Sequence, residues 1–218
     1  MAERRFLPAL RFGALTRFYD PVIRLTTREQ TFKRRLLEQA AIGQRDRVLD
    51  LGCGTGTLAI MTKKAHPEAA VWGLDADPEM LDPAVRKAAG AGLEIRFDQG
   101  LSDELPYPDA TFDRVLSTLF FHHLRPEDKR LTTAEVARVL KPGGELHVAD
   151  WGVPSDPLMR LLSLQIRFGD GDEPTRENLT GLLPGVFAAG GLADVVETDR
   201  LRTPFGTLAL HRARRPAA

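Results

Sequence analysis

The densest chemistry in the sequence lies at Val48-Leu49-Asp50-Leu51-Gly52-Cys53-Gly54-Thr55-Gly56-Thr57, a short apolar run that enters a turn with glycine at every second position. Glycines at this spacing let the backbone turn tightly and leave room for a ligand where any Cβ would collide. The segment therefore reads as a cofactor seat or, at its plainest, as a tight packing turn. Its spacing differs from the G-x-G-x-x-G of dinucleotide-binding enzymes. Downstream, Gly73-Leu74-Asp75-Ala76-Asp77 ends a second apolar run in a carboxylate about 20 residues past the glycine turn, the distance at which such folds place an acid for ribose hydroxyls. One carboxylate can accept from both hydroxyls of a vicinal diol, which makes Asp75 the candidate ribose clamp. Asp77, directly before Pro78, has the chemistry of a helix cap.

These residues need a scaffold that puts strand ends and turns side by side. Arg47 to Leu51, Ala70 to Leu74, Glu94 to Phe97, Asp113 to Ser117 and Glu145 to Ala149 read as strands, and Thr57 to Ala65, Pro78 to Ala89 and Pro126 to Leu140 as the helices between them. Strand alternating with helix predicts a parallel, doubly wound sheet of Rossmann-like α/β class. Lys141-Pro142-Gly143-Gly144 is a strong stop after the last of these helices. A helix from about Thr175 to Ala189 and two strands, Val195 to Arg200 and Phe205 to Arg212, close the chain; the short link at Gly206 predicts an antiparallel hairpin and seven strands in all. Residues 1–44 read as an N-terminal helical cap, with helical spacing from Phe6 to Phe18 and again from Thr27 to Ala41. Residues 45–218 form the main domain, within which 151–175 suits a lid or substrate wall.

A third segment, Asp98-Gln99-Gly100-Leu101-Ser102-Asp103-Glu104-Leu105-Pro106-Tyr107-Pro108-Asp109, completes a pattern. Taken in order, VLDLGCGTG, GLDADPEML, LPYPDATFDRVLS and VLKPGGEL resemble the class I methyltransferases dependent on S-adenosylmethionine (SAM), of the type that includes the ubiquinone and menaquinone biosynthesis C-methyltransferases. The resemblance covers roughly residues 45–150. It implies that Asp50, Gly52, Cys53, Gly54 and Gly56 surround the methionine part of SAM. It also places Asp75 on the ribose, Ala76 and Met80 against the adenine or ribose, and Ser117 at the floor. Relatives commonly carry an Asp after the glycine of the third motif, where this chain has Leu101, so adenine recognition is expected from backbone groups near Leu101 and Ser102. Tyr19, in Phe18-Tyr19-Asp20, resembles the cap aromatic that reaches SAM in relatives, with core packing as its alternative.

A cofactor that brings its own leaving group leaves the protein to orient a nucleophile and exclude water. A phenol, hydroxyl or acidic carbon can still need a base, and His122, His123 and Asp150 follow strands four and five, where ligands bind in open α/β sheets. The alternative is that Phe120-Phe121-His122-His123-Leu124 starts the next helix and lines the pocket. Two adjacent histidines with no further ligand in sequence do not predict a metal site.

The bulk numbers exclude other classes. Net charge is zero over 218 residues, which argues against a nucleic-acid partner. No stretch approaches about 18 uninterrupted apolar residues, and arginines break the apolar start of the chain, so a cytoplasmic protein is expected. Cys53 is the single cysteine, which excludes an intramolecular disulfide. Residues 1–35 hold nine Lys and Arg against three Asp and Glu, a basic arm that is either a solvated face or a contact for an anionic substrate or membrane surface. The expected function is methyl transfer to an apolar or aromatic small-molecule acceptor. The alternatives are a SAM-bound protein catalysing a cyclisation without methyl transfer, and a lipid or quinone methyltransferase working at a membrane surface.

Overall fold

The computed structural model describes residues 29–217; the helix expected over Phe6 to Phe18 and Tyr19 lie outside the described residues. The chain runs α1 (Glu29–Ala40), β1 (Arg47–Leu51), α2 (Thr57–Ala65), β2 (Ala70–Asp75), α3 (Pro78–Gly90), β3 (Arg96–Gln99), β4 (Phe112–Thr118), a 3-10 turn (Phe121–His123), α4 (Pro126–Val139) and β5 (Leu140–Trp151). Then follow α5 (Pro157–Leu162), α6 (Leu164–Asp170), α7 (Asp172–Leu179), α8 (Leu183–Ala189), β6 (Ala193–Thr203) and β7 (Gly206–Arg214). The seven strands form one sheet in the order β3-β2-β1-β4-β5-β7-β6. The first five are parallel, and β7 runs antiparallel between β5 and β6, as the predicted hairpin requires.

Alternate residues of a strand face opposite sides, and β1 uses both. Val48 joins Phe32, Leu36, Leu58, Ala59 and Leu210 in one core layer, under α1 and α2. Leu49 and Leu51 join Phe112, Val136, Leu183 and Phe187 in the other, under α4 and α8. A strand covered on both faces must be apolar throughout. Buried Asp50 in such a strand therefore stands out, at 1% exposure.

Two boundaries differ from the sequence expectation. The expected helix over 175–189 is two helices, because Gly181 takes a left-handed φ of +79° and Pro184 sits in the first turn of α8. The Lys141–Gly144 stop does not keep the strand from starting until Glu145. Leu140 already pairs with Phe112, and the register then jumps so that Glu145 pairs with Arg114. Gly143, at φ +77°, lets the intervening residues bulge.

Candidate active site

The strand order reverses between β1 and β4, and the carboxyl ends of β1, β4 and β5 open onto that switch point, where open α/β sheets bind ligands. The glycine turn leaves β1 there. Its backbone is anchored to β2, with Gly52 and Cys53 N–H both donating to the Leu74 carbonyl at 2.9 and 3.0 Å. Gly52, Gly54 and Gly56 all have left-handed φ, at +68°, +52° and +75°. They are not equivalent. A Cβ on Gly56 would meet the Ala84 Cβ at 2.8 Å and one on Gly52 would meet the Phe120 ring at 2.3 Å, whereas a Cβ on Gly54 would meet nothing within 4 Å. Neighbouring side chains thus close in on Gly52 and Gly56, whereas Gly54 faces open space that a ligand can enter.

Asp50 lies in the strand that enters this turn, and Asp75 accepts from it. The Asp50 Oδ2 accepts from the Ala59 N–H at 2.9 Å, serving α2 across the turn where Gly56 offers no side-chain cap. Its Oδ1 is buried with no partner. Burial pushes the Asp50 pKa up to about 7, despite the opposing field of Lys33. Lys33 sits on the buried side of α1 and takes Glu29 as its partner at 2.6 Å. Asp75 ends β2 and accepts from Gly54 N–H at 2.7 Å and Asp77 N–H at 3.0 Å, so its carboxylate is oriented while each oxygen keeps a lone pair. Burial raises its pKa as well. Asp77 accepts from the Glu79 N–H at 2.9 Å and is the cap of α3.

The remaining cofactor candidates line up less directly. Cys53 and Met80 are buried, with the Cys53 pKa raised by burial. Ser117 is buried and donates to the Leu51 carbonyl at 2.9 Å, tying β4 to β1 beneath the turn. Ala76 offers its carbonyl to Gln99 Nε2 at 3.3 Å. Leu101 is exposed, and the Ser102 hydroxyl is engaged with Thr132 at 2.7 Å, so at these two positions only the backbone is left to read a base.

On the other side of the switch point, Leu119 adopts φ +52° just after β4 and turns the chain into the 3-10 turn that carries the two histidines. They do not begin the following helix, which starts at Pro126. Asp150 is fully buried in the last turn of β5's pleat and holds this segment in place. Its Oδ2 accepts from Phe120 and His122 N–H, and its Oδ1 from Trp151 N–H at 2.7 Å and the His122 ring at 2.7 Å. Burial opposes charge on both partners, yet their mutual attraction prevails: His122 is raised above the ordinary imidazole range and Asp150 is lowered below the ordinary carboxylate range. Burial, and the neighbouring charge of His122, keep His123 well below it. With Asp150 accepting at Nδ1, the buried His122 ring turns its Nε2 toward the Asp170 carboxylate, 3.7 Å away. The Asp150 carboxylate is thus fully buried, with four donors on its two oxygens.

Three contributors escaped the sequence. Phe120 packs over Gly52 and links the histidine turn to the glycine turn. Lys33 sets a positive field on Asp50. Asp170, at the end of α6 in the expected lid, brings its carboxylate to 3.7 Å from His122 Nε2 and 3.6 Å from His123 Nδ1. Only the Lys33 position carried a signal, a lysine among Phe32, Leu36 and Leu37 on the apolar face of a helix.

Comparison with known proteins settles what kind of domain this is. Residues 48–144 match the methyltransferase domain family. The matched stretch, which holds the glycine turn and Asp75, is a methyltransferase domain. It is 39% identical over 145 residues to the demethylmenaquinone methyltransferase of Thermus thermophilus, covering 66% of this chain and 65% of that one. It is 28% identical over 217 residues to the ubiquinone/menaquinone biosynthesis C-methyltransferase of Desulfotalea psychrophila, covering 92% of this chain and 87% of the relative. The chain spans 54 to 65% of the length of the demethylmenaquinone methyltransferases it matches. Among solved structures it is similar to a SAM-dependent methyltransferase from Aquifex aeolicus, with a TM-score of 0.69 at 18% identity, covering 94% of this chain and 99% of that one; this likeness supports the fold alone.

Proposed function

We propose that the chain is a SAM-dependent methyltransferase acting on an apolar or aromatic small-molecule acceptor. The reading is carried by two features of one strand and turn, the Asp50 Oδ1 that is buried with no partner in β1 and the open space over Gly54 just after it, which suit the ammonium group and the close backbone approach of a methionine moiety. An orphaned buried acceptor costs about 1–3 kcal/mol, and a ligand cation would relieve it. Asp50, Gly52, Cys53, Gly54 and Gly56 would hold the methionine end, Asp75 the ribose, and Ala76, Met80 and the Leu101–Ser102 backbone the base, over a floor at Ser117. When bound, SAM supplies a methyl group already activated on a sulfonium.

The chain's own residues then have three tasks. Asp50 and Asp75 orient the cofactor. Phe120, Trp151 and the 151–175 lid exclude water from the acceptor side. His122 Nε2, its ring held through Nδ1 by Asp150, is placed to take a proton from an acidic oxygen or carbon, with His123 beside it. Support for an apolar acceptor comes from Leu158, Leu161, Leu164 and the 89%-exposed Phe168 along α5 and α6, and from the quinone substrates named for its relatives. Among the described residues no helix is long and apolar enough to cross a membrane, so a quinone-like acceptor would be met at the membrane surface or in the cytoplasm.

Calorimetric titration with SAM, followed by an acceptor screen with methyl-labelled SAM, tests the reading. The expected result is stoichiometric SAM binding and label transferred to an aromatic or quinone-like product. Absence of SAM binding would overturn it, and a product of unchanged methyl content that still requires SAM would replace it with the cyclisation reading.

A further inference from the structure

The sequence offers only two adjacent histidines, but the fold adds a third donor from a segment nearly fifty residues away. His122, His123 and Asp170 can each offer one ligand atom, and these atoms all lie within 4.8 Å of one another. The geometry points to a divalent transition-metal site formed by these three side chains, with Asp150 as the outer carboxylate that orients His122.

The distances favour a shared ion over direct hydrogen bonds. The Asp170 carboxylate stands 3.7 Å from His122 Nε2 and 3.6 Å from His123 Nδ1, beyond hydrogen-bonding range. For metal–nitrogen and metal–oxygen bonds of about 2.0–2.2 Å, neighbouring donors on a tetrahedron stand roughly 3.4 Å apart. The two distances run to different oxygens, Oδ2 and Oδ1, and each is within a few tenths of an ångström of that spacing, while all three donors lie within 4.8 Å, so a small rotation of the carboxylate and the rings would bring them around one ion. Among the described residues, the two imidazoles are the only partners of the Asp170 carboxylate. That carboxylate also sits at the carboxyl end of α6, where the helix dipole disfavours negative charge. A cation would compensate it.

The outer contact is the second, independent observation. His122 Nδ1 is 2.7 Å from the buried Asp150, the carboxylate–histidine arrangement that fixes a ligating tautomer with Nε2 presented to the ion. Lys129, whose charge acts on His122 and Asp150, is held by Pro174 O at 2.6 Å, Asn178 Oδ1 at 2.8 Å and Glu177. Two imidazoles and one carboxylate suit a borderline ion such as Zn²⁺, Fe²⁺ or Co²⁺ better than Mg²⁺. Three protein ligands leave a coordination position open, as in catalytic rather than structural sites. An acceptor oxygen bound there would lose its proton more readily. That last role rests on the methyltransferase reading; the ion site itself does not. The ion and a proton compete for the same His122 Nε2 lone pair, so a metal-loaded chain would activate its acceptor through the ion instead of through the base.

The test is Zn²⁺ titration of tag-free, chelator-stripped protein by calorimetry in the absence of SAM, with Co²⁺ as a spectroscopic probe. One ion per chain is expected, with visible Co²⁺ bands of a low-coordinate nitrogen–oxygen site. Asp170→Asn and His123→Ala change half-buried positions that the fold does not lean on, and each should weaken Zn²⁺ at least tenfold. Asp150→Asn should weaken it by about 10- to 100-fold, the usual effect of losing such an outer partner. No stoichiometric Zn²⁺ binding, or binding unchanged in both Asp170→Asn and His123→Ala, would overturn the site. Failure to bind SAM with Zn²⁺ binding intact would remove the methyltransferase reading and leave the site standing.

Discussion

Cofactor affinity should depend on pH through Asp50. Its pKa is pushed up to about 7 because the carboxyl is buried and one oxygen has no partner. A ligand ammonium against that oxygen favours the ionised form, so the protonated fraction cannot bind until it loses its proton. With a midpoint near 7, about nine-tenths of the chains are protonated at pH 6 and about a quarter at pH 7.5. The corresponding penalties on affinity are roughly 11-fold and 1.3-fold. SAM should therefore bind about eightfold tighter at pH 7.5 than at pH 6, a difference of roughly 1.2 kcal/mol. This window stays below the range of about 7.7–8.0 in which a free α-amino group titrates. Calorimetry at pH 6 in two buffers of different ionisation enthalpy should show close to one proton released per SAM bound, and Asp50→Asn should abolish both the release and the pH dependence. The stability sign runs the other way for the ligand-free protein. A folded pKa above the unfolded value of about 3.8 makes Asp50 a handicap that is absent below pH 3.8 and grows as pH rises to 7. Asp50→Asn should accordingly raise Tm at pH 8 while weakening SAM. An affinity that is flat from pH 6 to 7.5, with no proton released, would refute the placement of the ligand ammonium on Asp50.

Two further outcomes follow from the same site. Gly54→Ala adds a methyl group where the fold has open space, so it should cost only about 1–2 kcal/mol for its left-handed φ while reducing SAM affinity more than tenfold; Gly56→Ala, whose Cβ would lie 2.8 Å from that of Ala84, should instead lose more stability than Gly54→Ala. Thermal melts and SAM calorimetry on the pair separate the two roles. The double variant Glu29→Gln/Lys33→Met removes a positive field from Asp50 without stranding a charge, and should move the midpoint of the pH-dependent affinity upward, read from the same titrations.

Much of this architecture is local and therefore legible in sequence. The glycine turn, the strand ends at Leu51 and Asp75 and the Asp77 cap are set by φ preferences, by the period of apolar residues and by hydrogen bonds spanning two or three residues, and each was expected within a residue or two. The class of the domain follows from four such segments occurring in order. Chemical character was decided elsewhere. Asp50 is an ordinary carboxylate in sequence; only burial beneath α1 and α2, against the opposing field of Lys33, gives it a pKa near neutrality. Asp150 reads as a base, but four donors from β5 and the histidine turn occupy it and make it a support for His122. Asp170 is one more acid in an apolar lid until α6 carries it to the two imidazoles. The bulge at Lys141–Gly144 and the break at Gly181 likewise answer to neighbouring elements rather than to their own residues alone. Local conformation is encoded by adjacent residues, whereas desolvation and charge pairing depend on which distant segments the folded chain packs together, and no spacing in one dimension records that.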